Sequence, residues 1–257
     1  MKKIGCISQT YGNNRLQEIK CISFDDVGGA FRDSLDEISF TFHNCSNETI
    51  GQNHEILKSR FPTCKFRVIN SINYRDSIIR QLEYMKTNGF TDFALLQDDH
   101  YGINHPENIE IAKSIVKFYR SRPDINFLHC TKDGFPSDNK VPKDTVEFNG
   151  ILFHKYDSQD FKKDNLYSYN DGIFLMSIDM MLNILSSHNI PEDVWGMEVW
   201  LKCFFDTNEI DRWGLSKEVF GSMYVHGRNT SNAPISEQIQ PLFGMKPNFD
   251  EFVKTLS

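Results

Sequence analysis

Two adjacent carboxylates, Asp98 and Asp99, stand at the end of an apolar run, Phe93-Ala94-Leu95-Leu96, with Gln97 between the run and the pair. Closely spaced carboxylate oxygens suit a hard divalent cation such as Mg²⁺ or Mn²⁺, and such an ion neutralises a diphosphate leaving group. Aspartates at a turn also cap a following helix, and the pair alone does not separate the two uses. Late in the chain, Tyr224-Val225-His226-Gly227 ends a short strand-like run on a histidine. Neutral imidazole joins carboxylates readily around Mn²⁺, although a lone histidine also serves purely structural ends. Arg228, two residues on, offers either a bidentate fork for a phosphate or a plain surface charge.

The elements that must position these groups are legible as alternating units. Lys3 to Ser8 is a short apolar run that gives way to a polar, glycine-containing loop, Gln9 to Arg15. A strand over Ile38 to His43, a helical stretch near His54 to Arg60 and a strand over Lys65 to Ile69 follow. Ile78, Ile79, Leu82 and Met85 recur at helical spacing between Tyr74 and Lys86, and Asn88-Gly89 supplies the stop before the run at Phe93. That order of strand and helix implies an α/β fold with a mostly parallel central sheet flanked by helices. It places Asp98 and Asp99 at the carboxyl end of a central strand, where open α/β sheets keep their ligands.

Beyond the pair, Pro106 to Arg120 reads as a helix and Ile125 to His129 as a strand, while Thr131 to Asn149 is polar and aperiodic and is expected to be a mobile loop or lid. Order resumes at Ile151 to His154 and at Asn170 to Met176, which runs into a helix carrying Met180, Met181 and Ile184 as core residues. A last helix begins near Glu192, where Glu192 and Asp193 suit a helix start, and includes Trp195 to Phe205.

Composition excludes several classes. With 257 residues, 39% apolar and 13% aromatic, the chain has the make-up of a globular protein with one elaborated core. A net charge of -7, with cations scattered among acids, works against nucleic acid as a partner. The start lacks a signal-peptide apolar stretch and no run approaches membrane-spanning length, so the expectation is a cytoplasmic protein without a transmembrane segment. The six cysteines form no CxxC pair and read as reduced thiols, mostly in the core.

The run ending in Gln97-Asp98-Asp99, preceded by a helix that Arg75 opens, resembles the GT-A glycosyltransferases, whose signature is an apolar strand ending in a DxD-like motif. Gln97 departs from that pattern at its first acidic position. The resemblance implies a GT-A type nucleotide-diphospho-sugar transferase fold over residues 1–257, with a nucleotide-binding half, 1–101, and an acceptor-binding half, 102–257. It further implies Asp99 and His226 as metal ligands. Thr10, Tyr11 and Arg15 would form the first nucleotide loop, Asn44 would stand near the base, and Arg75, Gln97, Asp98 and Arg228 would face the donor. In inverting members a late helix starting after a Trp-Gly turn carries the general base, and Trp195-Gly196-Met197-Glu198 is similar, which makes Glu198 the base. Asn170-Asp171-Gly172 precedes a strand-like run where these enzymes line the acceptor and donor-sugar pocket, which makes Asp171 a residue that hydrogen-bonds a sugar hydroxyl.

What the resemblance implies is transfer of a sugar from a nucleotide-diphosphate sugar, a UDP-sugar favoured, to a glycan or other hydroxyl acceptor, with Mn²⁺ or Mg²⁺ as cofactor. Two rival expectations remain beside it. One is a sugar-phosphate nucleotidyltransferase, against which stands the lack of a glycine-rich loop with paired Arg and Lys at the start. The other is a non-catalytic nucleotide- or carbohydrate-binding protein of the same fold.

Overall fold

A computed structural model describes residues 1–11, 34–60, 62–96, 100–102, 106–130, 141–157, 173–187, 189–208, 210–215, 220–225 and 239–241. Strands β1 (Ile4–Tyr11), β2 (Glu37–His43), β3 (Lys65–Ile69) and β4 (Asp92–Leu96) alternate with helices α1 (Asn47–Arg60) and α2 (Tyr74–Thr87). Then come β5 (His100–Gly102), α3 (Pro106–Ser121), β6 (Phe127–His129), β7 (Asp144–Phe148) and β8 (Ile151–Tyr156). The remainder is β9 (Phe174–Ser177), α4 (Ile178–Ser187), α5 (Val194–Thr207), β10 (Arg212–Leu215), β11 (Phe220–Val225) and β12 (Ile239–Pro241).

Nine strands form one sheet in the order β3-β2-β1-β4-β9-β6-β10-β8-β7, and β12-β11-β5 form a second. Side chains that alternate along a strand point to opposite faces, and the two cores follow that period. Ile4, Cys6, Phe40, Phe42, Ala94, Leu128 and Leu175 pack with Ala112, Ile115, Val116 and Tyr119 of α3 on one face. Ile7, Phe93, Leu95, Phe127, Phe174 and Met176 meet α2, α4 and α5 on the other, through Ile78, Leu82, Met85, Met181, Leu185, Met197 and Leu201. Burial on both faces is why β4 reads as an unbroken apolar run.

The expected mostly parallel sheet is corrected to a mixed one. The pairs β2–β3, β1–β2, β1–β4 and β6–β10 are parallel. The pairs β4–β9, β6–β9, β8–β10 and β7–β8 are antiparallel. Strand β9 inserts between β4 and β6 against their direction, and β7 joins β8 by the tightest available turn. In that turn Asn149 and Gly150 have φ of 51° and 76°, the doubly left-handed geometry of a type I′ hairpin. The polar stretch expected as a lid to Asn149 therefore holds a strand from Asp144, and its residues 131–140 lie outside the described residues. A second correction concerns Gln9, Thr10 and Tyr11, expected in a loop: β1 carries them onward, paired with Thr41, Phe42 and His43.

Helix α2 has both ends secured. Asn73 accepts a hydrogen bond from the Asp76 amide at 2.8 Å, and Gly89, at φ 80°, lets the chain leave after the last turn while the Phe90 amide reaches the Met85 carbonyl. Among the described residues no helix is long and apolar enough to cross a membrane. Among the described cysteines, Cys6, Cys64 and Cys130 are buried, Cys203 is exposed, and none is in a disulfide.

Candidate functional site

Strand β1 has β2 on one side and β4 on the other, and the chain reaches them by opposite routes. This is the point where the order of an open parallel sheet reverses, and the crevice beyond its carboxyl ends is the place for a ligand. Tyr11, His43 and Ile69 share one level at that edge through the β1–β2 and β2–β3 registers. Leu96 ends β4 beside Ser8, and Gln97, Asp98 and Asp99 are the next three residues in the chain.

Of the residues singled out by sequence, Arg15, Gln97, Asp98, Asp99, Asp171, His226 and Arg228 lie outside the described residues, as do the side chains of Thr10, Tyr11 and Trp195. The backbone around them is informative. Strand β5 begins one residue after Asp99 and pairs with β11, His100 opposite Ser222, and Ser222 stands four residues before His226 in the chain.

Asn44 ends β2 at this edge in the left-handed region, φ 52°, which asparagine tolerates. Its amide donates to the Ile69 carbonyl at 3.4 Å and its Oδ1 accepts from the Ser71 amide at 3.4 Å. Ser71 Oγ bonds His43 Nε2 and donates to the Asn73 carbonyl at 2.9 Å. The ends of β2 and β3 are thus fastened to the cap of α2. His43 is fully buried, and burial pushes its imidazole below its usual range, with Asp76 opposing in part, so the ring is held neutral. Sequence reasoning missed His43 and Ser71. The available signal was a histidine closing a strand whose alternate residues, Ile38, Phe40 and Phe42, are apolar.

Arg75, the second residue of α2, does not extend into open solvent. Its Nη1 donates to the Ile190 carbonyl at 3.4 Å and its amide to the Glu192 carbonyl at 3.5 Å. Those carbonyls lead into α5, where Asp193 Oδ1 accepts from the Gly196 amide at 2.7 Å, the helix-start role its sequence position suggested. Glu198 sits one turn further along, 18% exposed, with its carboxylate 2.7 Å from Lys202. Trp200 stacks on Phe204 with centroids 5.1 Å apart and packs against the α2–α4–α5 core. Arg75, Asn44 and the start of α5 therefore share the ligand edge.

A cavity of about 280 Å³ opens elsewhere, lined by Asp124, Phe127, Lys155, Met180, Asp211 and Trp213 among others. It lies where β6 and β10 begin, the end of the sheet opposite the crevice. Its acids are engaged already, Asp211 with Lys143 and Lys155 and Asp124 with Arg122. The nearby buried Asp92 accepts from Tyr119 Oη at 2.7 Å and Thr91 Oγ1 at 2.6 Å, with Lys2 Nζ at 3.7 Å. This is a fastening of strand starts.

No protein-family model matches the chain, and no curated protein matches it in sequence. Solved structures do share its fold. Residues 1–349 of S. aureus TarS superpose with a TM-score of 0.51 at 12% identity, over 86% of this chain and 60% of that one. A Pyrobaculum calidifontis mannosyltransferase, in complex with GDP-Man and Mn²⁺, gives 0.46 at 10% identity over 76% of this chain and 49% of its own. A Leptospira borgpetersenii cytidylyltransferase gives 0.44 at 15% identity, covering 81% and 72%. Of these three, the TarS likeness bears on architecture. The chain spans less than two thirds of TarS 1–349 and about half of the mannosyltransferase. The mixed α/β sheet flanked by helices is the architecture this chain shares with TarS 1–349.

Proposed function

We propose that this protein is a metal-dependent glycosyltransferase, a single domain over its length, that moves a sugar from a nucleoside-diphosphate sugar to an acceptor hydroxyl. The observation that carries the reading is topological: β4 ends at the reversal point of the sheet, and the chain runs straight into Gln97-Asp98-Asp99 there. A cap aspartate has no need of that position, whereas a diphosphate ligand does.

Asp99 and His226 would hold Mn²⁺ or Mg²⁺, which supplies charge neutralisation at the departing diphosphate. A carboxylate and an imidazole are fitting donors for such an ion. The β5–β11 pairing supports their grouping, because it returns the chain to the motif shortly before His226. Thr10, Tyr11, Arg15 and Asn44 line the nucleotide side, with Gln97, Asp98 and Arg228 toward ribose and phosphates. Asp171 hydrogen-bonds a sugar hydroxyl. Glu198 accepts the proton of the acceptor hydroxyl as that oxygen attacks the anomeric carbon from the face opposite the nucleotide, which inverts its configuration. The carboxylate must loosen from Lys202 to do so.

A hydrolysis and transfer screen over UDP-, GDP- and dTDP-sugars, with and without Mn²⁺, tests the proposal, with UDP-sugars expected to respond. Glu198→Gln is expected to lower transfer by roughly 10²- to 10⁴-fold while donor binding survives. Retained transfer, or a product of unchanged anomeric configuration, refutes Glu198 as the base.

A further inference from the structure

Helix α5 carries Glu198, and what sets the position of α5 is the short segment before it. Ile190 is 2% exposed and belongs to the core shared by α2, α4 and α5. Pro191, Asp193 and Gly196 are packed so closely that a Cβ on Gly196 would come 2.7 Å from Pro191 Cβ and 2.6 Å from Asp193 Oδ2. Residues Ile190 to Gly196 therefore form a tightly packed body that leads directly into the turn of α5 bearing Glu198. Arg75 holds that body at two carbonyls, Ile190 and Glu192.

Its charge has no carboxylate partner among the described residues, and its buried Nε makes no hydrogen bond. A cation at a helix N-terminus also opposes the helix dipole. Stability alone gives little reason for an arginine here.

We infer that Arg75 is a positioning residue: it fixes the start of α5 against the N-terminus of α2 and so sets where the Glu198 carboxylate stands. This rests on the reading of Glu198 as the base. It differs from the donor-contact role that the resemblance implies for Arg75, because its hydrogen bonds run to the acceptor half of the chain. A positioning defect appears in turnover. A lost phosphate contact appears in donor affinity.

The experiment compares wild type with Arg75→Ala, Arg75→Lys, Glu198→Gln and the Arg75→Ala/Glu198→Gln double variant. Turnover is measured on the donor the wild type uses, UDP affinity with Mn²⁺ by calorimetry, and amide hydrogen exchange across 192–198 by mass spectrometry. Arg75→Ala is expected to lower kcat by roughly 10- to 100-fold, the scale of an ångström-level misplacement. UDP affinity stays within about threefold, and the 192–198 amides exchange faster. Arg75→Lys, which keeps a donor in reach of Ile190, recovers part of the turnover. The double variant is no slower than Glu198→Gln within about threefold, since residues acting as a unit are not additive. A loss of UDP affinity above about tenfold at unchanged kcat overturns the inference, as do additive effects or unchanged exchange. Failure of the wild type to bind any nucleotide is a separate result and defeats the functional reading itself; should Arg75→Ala not fold, Arg75→Lys carries the same comparison.

Discussion

Gly196→Ala gives a prediction whose sign is decided by competing terms. In an ordinary helix position the change stabilises by about 1 kcal/mol, because glycine gives up more backbone freedom on folding. At Gly196 the added methyl would stand 2.6 Å from Asp193 Oδ2 and 2.7 Å from Pro191 Cβ, distances that real Cβ atoms do not adopt. Moving Asp193 breaks the cap on the Gly196 amide, at a cost of about 1 kcal/mol. Displacing Pro191 adds an overpacking term of about 1–3 kcal/mol. The variant is therefore expected to lose about 1–3 kcal/mol net. Urea unfolding measures it as a fall in midpoint at unchanged slope. Gly51→Ala in α1 is the internal control, since nothing lies within 4 Å of its Cβ position, and it should gain about 1 kcal/mol. A rise in midpoint for Gly196→Ala comparable to that of Gly51→Ala would refute the close packing of the α5 start that leads into Glu198.

Two further predictions concern groups that hold the frame. Tyr119→Phe removes the hydroxyl that donates to buried Asp92 at 2.7 Å and should cost about 2 kcal/mol, measured by the same unfolding; a loss under about 0.5 kcal/mol would contradict the account. His43 has a folded pKa lowered by burial below its unfolded value of 6.5, so the unfolded chain binds more protons in that window. Stability should thus be full above the unfolded pKa and fall as pH drops through 6.5 toward the lowered value. His43→Gln should flatten the melting-temperature slope between pH 7.5 and 5.5 without abolishing it, because burial lowers His154 as well. An unaltered slope would remove His43 from the explanation.

How much of this was legible in the sequence depends on how local each feature is. Helix α2 could be read almost to the residue, because Ile78, Leu82 and Met85 mark its buried face and Asn88-Gly89 its end. Strand β4 was equally plain, and with it the position of the acidic motif at a strand end. The second half was harder because its order comes from distant partners. Strand β9 runs directly into the helix α4 without a turn signal between them, and only the finished sheet shows it running against β4 and β6. Strand β10 is four residues long and lies between β6 and β8, far from both in sequence. The β7–β8 hairpin could have been found: Asn149-Gly150 is a strong two-residue turn signal, outweighed in the reading by the polarity of the stretch before it. At the site, the Asn44–Ser71–His43 fastening and the hold of Arg75 on Ile190 join segments whose nearness no periodicity encodes.

Titration of UDP into the protein with and without Mn²⁺, repeated on Asp99→Ala, tests the central claim most directly. Binding by the wild type is expected to strengthen with Mn²⁺ and to lose that dependence in Asp99→Ala, with folding intact by circular dichroism. Absence of binding to UDP, and likewise to GDP and dTDP, with every divalent ion tried would contradict it.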